Sequence, residues 1–292
     1  MSGVLHAIVE PGFFADNAVQ VALAVGTAVA LLCSAVGVFT VIRGQSFAAH
    51  AMSDVGATGG SGAVLVGVAP LWGFVAMTVA AATTMEAIGI DRRRGRDLAT
   101  GIVLAAGFGL AALFLYWDST TTSISGVTNE ILFGEMFALS PGTLPAIIAL
   151  GTVALAIVAG IYRPLLLSSV NGELAAARGV PARVIGALYL LALAAAVALS
   201  CLATGAILST ALLIGPAAAA LRFTRRPWRA ILAAAATALA ACWLGVLLAY
   251  DSYYWPPYQH GWPVSFFIVA LVFVFYLGAR AGTGTLRRRR TV

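Results

Sequence analysis

Residues 18–42, with the sequence AVQVALAVGTAVALLCSAVGVFTVI, decide the class of fold. The segment contains no charged residue, and Arg43 follows it directly. A helix needs about 20 apolar residues to cross the hydrocarbon core of a bilayer. We therefore expect residues 18–42 to form a membrane-spanning helix.

Comparable apolar segments recur along the whole chain. The block 184–221 is too long for one span, and Thr204-Gly205 divides it near its middle, so we assign two spans to it. The predicted spans are 18–42, 46–68, 71–90, 98–117, 144–162, the two halves of 184–221, 230–250 and 263–277. The sequence thus predicts an all-α protein, a polytopic transmembrane helical bundle of about nine spans. The number becomes eight or ten if residues 46–68 or 184–221 re-enter the membrane instead of crossing it.

The composition excludes a soluble globular domain. Of the 292 residues, 61% are hydrophobic and only 10% are charged, and the mean hydropathy is +0.97. A soluble domain carries about a quarter of its residues as charged groups. The three cysteines, Cys33, Cys201 and Cys242, lie far apart in apolar segments, where we expect them to be packing residues.

The basic residues carry a second constraint. All 17 are arginine, so the chain has no lysine for a phosphate-binding P-loop. We therefore do not expect the chain to be an enzyme that hydrolyses ATP by that motif. The arginines form short clusters between apolar segments, which indicates membrane orientation and not a nucleic-acid site.

The arginine clusters also predict the orientation in the bilayer. Cytoplasmic loops of membrane proteins carry an excess of basic residues, and nine spans with a cytoplasmic C-terminus place every cluster inside. Residues 1–17 then form an extracytoplasmic N-terminus, 18–281 a single transmembrane domain and 282–292 a basic cytoplasmic tail. The N-terminus lacks a basic region and is interrupted by Glu10-Pro11, so we do not expect a cleaved signal peptide.

Two ionisable side chains lie inside the second apolar segment. His50 and Asp54 are four residues apart, so a helix places them on one face, close enough to bind one cation. An imidazole and a carboxylate suit a borderline transition metal such as zinc or manganese. Four glycines between residues 56 and 62 favour a break in this helix, and transporters place sites in such broken spans. The alternative is a hydrogen-bonded pair between helices with a purely structural role.

Residues 165–183 are the second informative segment. Within them, residues 172–180 (GELAAARGV) have the pattern of a short helix on the membrane surface, and Pro181 ends it. Such a helix is suited to contact a partner protein, although an ordinary surface helix fits the pattern equally well.

A third set of candidates falls in predicted external loops. These residues are Glu130, Glu135, Asp251 and His260. They are candidates for guiding cations or for docking a partner protein. Solvated acids and an interfacial aromatic belt explain the same residues without any such role.

Five stretches, in order along the chain, resemble motifs of the permease subunits of metal-ion ABC importers, the zinc and manganese family. They are RGQSFAAHAMSD (43–54), RGRDLATGIV (94–103), LFG (132–134), ELAAARGVP (173–181) and GAILSTALLIGPAA (205–218). The resemblance covers nearly the whole chain, from about residue 18 to 280. One departure concerns the second span, where the family usually has aspartate first and histidine four residues later. Here His50 precedes Asp54.

The resemblance implies a fold like that of type II ABC importer permeases. It implies a homodimeric pore in the bacterial inner membrane, embedded in the lipid bilayer, that imports a divalent transition metal. Zinc is the first candidate, and manganese and iron follow. His50 and Asp54 would line the ion path, and two pairs in a two-fold dimer would supply up to four ligands. No cofactor would be bound permanently.

The resemblance also implies two partner proteins. A separate ATP-binding-cassette ATPase would bind a coupling helix at about residues 171–183, and an extracytoplasmic metal-binding protein would deliver the ion. The residues at the ATPase contact would be Glu173, Leu174, Arg178 and Gly179.

A carrier coupled to protons or sodium is the rival interpretation. His50 and Asp54 would then form a proton relay, and residues 173–183 would be incidental. The two interpretations differ in whether an ATP-binding-cassette subunit copurifies with the chain.

Overall fold

The computed structural model of this chain describes residues 13–88, 96–121, 126–134, 136–224, 226–253, 255 and 261–288. Twelve α-helices account for most of these residues, and no strand occurs among them. The helices are α1 Asn17–Ile42, α2 Ser46–Leu65, α3 Pro70–Ile88, α4 Arg96–Thr121, α5 Val127–Phe133, α6 Leu144–Gly160, α7 Tyr162–Val170, α8 Gly172–Ala177, α9 Ala182–Thr204, α10 Ser209–Phe223, α11 Pro227–Ser252 and α12 Val264–Arg288. Short 3₁₀-helices lie at Phe13–Ala15, Met136–Ala138 and Pro141–Thr143.

The long helices coincide with the predicted spans. These helices are α1 to α4, α6, and α9 to α12. Within the described part of the chain, six of them are long and apolar enough to cross a membrane: α1, α4, α6, α9, α11 and α12. Helix α10 has only 15 residues, and α2 is rich in glycine and serine. The all-α bundle is therefore confirmed, while the number of nine spans is approximate.

Helices α1 and α9 form the centre of the bundle. Helix α1 packs against α6, α9, α10 and α11, and α9 also packs against α2, α3 and α6. Phe39 of α1 and Tyr189 of α9 are among the largest fully buried side chains. Cys33, Cys201 and Cys242 are buried in the same core as free thiols, which confirms their prediction as packing residues. Helix α4, in contrast, packs mainly against α2 and leaves most of its apolar surface on the outside, where lipid contacts it in a membrane.

Helix α2 runs unbroken from Ser46 to Leu65, so the predicted glycine break is wrong. The glycines allow neighbouring helices to approach instead. Gly59 of α2 lies so close to Gly73 of α3 that a Cβ at either position would overlap the other's carbonyl oxygen. Gly107 of α4 also makes a close contact, and a Cβ there would overlap the Val55 side chain of α2. Small residues at helix contacts favour close packing in membranes, and this packing offsets the entropy that glycine loses in a helix.

The predicted division of the 184–221 block is confirmed. Helix α9 ends at Thr204, and Gly205 adopts φ +79°, a conformation that favours glycine. The freed amides of Ala206 and Ile207 donate to the carbonyl oxygens of Ile131 and Leu132, at 3.0 and 3.3 Å. The end of α5 and the break between α9 and α10 therefore satisfy each other's backbone groups, as a membrane interior requires.

We predict that Gly59→Ala destabilises the bundle, because the added methyl group overlaps the backbone of α3. The expected loss of unfolding free energy is about 1–3 kcal/mol, typical of overpacking. The measurement is a thermal or denaturant unfolding curve of the purified protein in detergent.

The matched control is Gly109→Ala in α4, where nothing lies within 4 Å of the new Cβ. Alanine is the better helix former, so this variant should be as stable as the parent or slightly more stable. Equal unfolding curves for the two variants would contradict the close contact between α2 and α3.

Candidate functional site

His50 and Asp54 lie in the first half of α2, on one face of the helix, as their spacing predicts. The distance between His50 Nε2 and Asp54 Oδ2 is 3.8 Å. The His50 side chain is 46% exposed, and the Asp54 side chain is 13% exposed. Both side chains are therefore reachable from outside the chain, and the carboxylate is the more enclosed of the two.

The pair belongs to an uncovered stripe of α2. Phe47, which is 45% exposed, lies on the same face, three residues before His50. The other faces of α2 are covered by α3, α4 and α9, and Met52, Ser53 and most residues from 55 to 61 are buried. We call Phe47, His50 and Asp54 the open stripe. Within the described part of this chain, Phe47 and His50 are about half exposed, whereas Asp54 is mostly covered by its neighbours.

One chain by itself would provide only part of a metal site. In the described ranges, no group of three or more histidine, cysteine, aspartate or glutamate side chains could hold a metal ion. His50 and Asp54 supply one imidazole nitrogen and one carboxylate, whereas transition metals take four or more ligands. Further ligands must come from water, from backbone or from a second chain.

Ser53 fixes the position of Asp54, the next residue. Its hydroxyl donates to the carbonyl oxygen of Ala206 at 2.6 Å and lies 2.6 Å from Ser209 Oγ and 3.2 Å from Cys201 Sγ. These partners lie on both sides of the break between α9 and α10. Sequence reasoning missed this role, although a serine beside the intramembrane carboxylate was a visible signal.

The segment expected to contact a partner forms two short helices, α7 and α8, which we call the coupling segment. The expected helix at residues 171–183 is wrong in length, because α8 covers only Gly172–Ala177. Arg178 caps α8, and Gly179 turns the chain at φ +73° before α9 begins. The helix begins at Asn171, whose side chain accepts a hydrogen bond from Leu174 N at 2.9 Å.

The coupling segment exposes apolar side chains at the surface. Leu174 is 42% exposed and Val170 is 74% exposed, and Val184 at the start of α9 is also exposed. Glu173 is exposed beside them. Exposed apolar side chains in a polar setting are typical of a protein contact.

The candidates from the predicted external loops differ in position and burial. Those that the structure describes lie at the end of the bundle opposite the coupling segment. Glu130 lies in α5 and is half-buried. Asp251 lies in the last turn of α11 and is only 5% exposed, so its expected position in an exposed loop is wrong. Glu135 and His260 lie outside the described residues. The structure does not bring Glu130 or Asp251 into the His50–Asp54 pair.

A cavity of about 770 Å³ lies at the same end of the bundle, between α5, the Met136–Ala138 turn and the facing ends of α11 and α12. Aromatic side chains dominate its lining, including Phe133, Tyr250 and Trp262. The described lining holds no charged side chain. It is therefore separate from the candidate metal site in both place and chemistry.

These features define a polytopic membrane protein with a metal-type donor pair on an open helix face, the class of transport proteins. The chain belongs to the ABC 3 transport family, because the family model matches residues 15–279. This confirms the resemblance to metal-ion ABC permeases.

Two curated relatives and one solved structure are similar to this chain. It is 30% identical over 210 residues to the manganese transport system membrane protein MntC of Halalkalibacterium halodurans, covering 71% of this chain and 70% of that protein. It is 26% identical over 238 residues to the manganese import system permease protein ScaB of Streptococcus parasanguinis, covering 82% of each. The structure of PsaBC from Streptococcus pneumoniae in complex with Fab matches with a TM-score of 0.80 at 23% identity, over 94% of this chain and 95% of that one. At this identity the structural match shows the fold alone.

We predict that Ser53→Ala weakens the contact between α2 and the α9–α10 break, because it removes the hydrogen bond from α2 to Ala206 O and the contact with Ser209 Oγ. Ala206 O keeps the hydrogen bond from the Ser209 hydroxyl, at 3.1 Å, so the loss is that of a hydrogen bond and not of an orphaned carbonyl. The expected loss is about 0.5–1.5 kcal/mol of unfolding free energy. Unfolding in detergent measures it.

The control is Ser61→Ala, since Ser61 is equally buried on α2 but bonds only to its own helix, at Ala57 O and Thr58 O. Alanine there should be close to neutral. If Ser61→Ala proved as damaging as Ser53→Ala, the cross-helix bond would carry no special role.

Proposed function

We propose that this chain is the membrane subunit of an ATP-driven importer for a divalent transition metal, with manganese as the first candidate. The observation that carries the proposal is the His50–Asp54 pair on the open stripe of a chain in the ABC 3 transport family. Ionisable groups within membrane helices are costly and usually mark a path for ions.

The choice of metal rests on relatives and on ligand type. MntC and ScaB are named for manganese, whereas the sequence-based preference for zinc receives no specific support. Imidazole and carboxylate ligands suit both metals. Manganese is therefore the first substrate to test, with zinc and iron next.

The open stripe supports a two-fold dimer of this chain. A second copy facing the stripe would cover Phe47 and bring a second imidazole and carboxylate towards the first pair. Four ligands of mixed nitrogen and oxygen type complete a transition-metal site that one chain leaves incomplete. The metal binds the deprotonated forms of both residues.

Transport driven by ATP requires a separate ATP-binding-cassette subunit, because the chain has no lysine for a P-loop of its own. The coupling segment, with Glu173 and Leu174, and the turn that follows it, with Arg178 and Gly179, provide the exposed surface for that subunit. The segment lies at the end of the bundle that carries Arg43, so the positive-inside rule favours a cytoplasmic location for it and for the C-terminus.

An extracytoplasmic metal-binding protein would dock at the opposite end and release the ion to the path. Glu130, Glu135 and His260 remain the predicted contributors there, whereas Asp251 is too buried to contact a docked protein directly. The protein would reside in the bacterial inner membrane. ATP binding and hydrolysis would then alternate the access of the His50–Asp54 site between the two sides.

Metal uptake tests the proposed site. Cells expressing the chain with its ATPase are offered manganese, zinc and iron separately, at matched membrane levels of each variant. We expect His50→Ala and Asp54→Ala each to lower uptake of one metal by roughly tenfold or more, because each removes half of the donors one chain supplies.

Two controls sharpen this test. Glu86→Gln removes a carboxylate from α3, away from the open stripe, and should transport normally. The exchange His50→Asp with Asp54→His keeps both ligand types in the order usual for the family and should retain more uptake than either alanine variant. Normal uptake by both alanine variants would mean that His50 and Asp54 are structural, and uptake without any ATPase would favour a secondary carrier.

We predict that Leu174→Asp lowers copurification of the ATPase subunit by about tenfold, since a charge replaces an apolar contact at the interface. A pull-down on the tagged permease measures it. Metal binding by the purified permease should be unchanged, because α8 and the open stripe lie on different helices that are distant in the sequence.

Phe223→Asp is the control for this change. Phe223 is an exposed apolar residue at the end of α10, outside the coupling segment. Equal loss of the ATPase in both variants would show a general surface effect and contradict a specific contact at α8.

A further inference from the structure

The corner between α1 and α2 connects the helix of the candidate site to the centre of the bundle. Arg43, Gly44 and Gln45 form this corner, and Gly44 adopts φ +65°. Gln45 N donates to Thr40 O at 2.9 Å, and Ala49 N donates to Gln45 O at 3.0 Å. The corner is therefore hydrogen-bonded to both helices, so a displacement of Arg43 moves the start of α2.

The Arg43 side chain leaves this corner and contacts the coupling segment. Its Nη1 donates to Ser168 Oγ at 3.4 Å and to Ser169 Oγ at 3.3 Å, both on α7. Its guanidinium lies 5.2 Å from the ring centre of Tyr189 on α9. Helix α7 precedes α8 and α9 follows it, so Arg43 contacts the chain on both sides of α8.

The partners of Arg43 are themselves held in place. The hydroxyls of Ser168 and Ser169 donate to Leu165 O, and the hydroxyl of Tyr189 lies 2.8 Å from Thr40 Oγ1. Only Asn171 separates α7 from α8, and its side chain caps α8. Because the link between α7 and α8 is so short, a movement of α8 should also displace the two serines.

The contacts of Arg43 are unusual for a purely structural arginine. Among the described residues it has no carboxylate within ion-pair distance, and its Nε is buried without a hydrogen-bond partner. The Arg43 side chain is half-buried, and the buried, unpartnered Nε costs stability. The hydrogen bonds to the serines are long, at the weak end of the usual range. Weak contacts of this kind can break and re-form as α7 and the corner between α1 and α2 move relative to each other. We call the contacts of Arg43 with Ser168, Ser169 and Tyr189 the joint.

We propose that Arg43 is a positioning residue of the transport cycle. It links the coupling segment to the start of α2, so that movement of α8 is converted into movement of His50 and Asp54. This inference rests on the proposed function, since it requires an ATPase at α8.

The experiment compares ATP hydrolysis with transport in proteoliposomes that contain the permease–ATPase complex. Two variants break the joint: Arg43→Met, and the double change Ser168→Ala with Ser169→Ala. Arg222→Met is the matched control, because Arg222 also lies over a tyrosine ring, that of Tyr276, at 5.0 Å, but joins α10 to α12 instead. The readout is the amount of manganese transported per ATP hydrolysed, with manganese binding by the complex measured in parallel.

We expect the transport-to-hydrolysis ratio to fall at least about fivefold in both joint variants, within the range of energies that coupling residues carry. ATP hydrolysis and manganese binding should stay within about twofold of the parent, and Arg222→Met should keep the parental ratio. Arg43→Lys should recover part of the ratio, because it restores the charge near the serines and Tyr189.

Other outcomes overturn the inference. An unchanged transport-to-hydrolysis ratio in the serine variant would overturn it. A parallel loss of hydrolysis and transport would overturn it too, because it indicates a structural role. If Arg43→Met fails to assemble, the serine variant decides alone, since it removes only two hydroxyl groups. A parent complex without ATP-dependent uptake refutes the proposed function and this inference together, whereas normal parental uptake with unaltered ratios refutes this inference alone.

Discussion

The close packing of α2 against α3, α4 and α9 is the constraint on which the candidate site depends. Gly59 and Gly73 bring the backbones of α2 and α3 into contact, and Ser53 bonds α2 to the break after α9. With three sides covered, α2 presents only the stripe that carries His50 and Asp54. A pair of ligands on a loosely held helix would have no fixed geometry, and the proposed metal binding requires one.

The chain has some of the features that the proposed transport requires and lacks others. It supplies a donor pair, a rigid helix to hold that pair, and a short exposed segment, α7 and α8, joined to the same helix through Arg43. It has no lysine for a P-loop, and its described residues hold no group of three or more metal-ligating side chains. The chain belongs to a transport family, and a transport subunit can take energy and ligands from other chains.

Local sequence patterns were reliable where the physics is local. The apolar segments, the division at Thr204-Gly205 and the shared face of His50 and Asp54 follow from hydrocarbon thickness, glycine conformation and helical periodicity, and the structure confirms each. The glycine break in α2 was wrong because glycine serves two purposes, breaking a helix or letting another helix approach. Only the neighbouring Gly73 decides between them.

The sequence by itself determined that this protein is a polytopic helical membrane protein, with one donor pair in its second helix and no P-loop of its own. Those properties depend on composition and on residues a few positions apart. Only the tertiary structure decided that Ser53 anchors the donor helix, that Asp251 is buried, and that Arg43 reaches α7 and α9. Each of these contacts joins residues distant in the chain, so it depends on which helices become neighbours, and no local pattern encodes that.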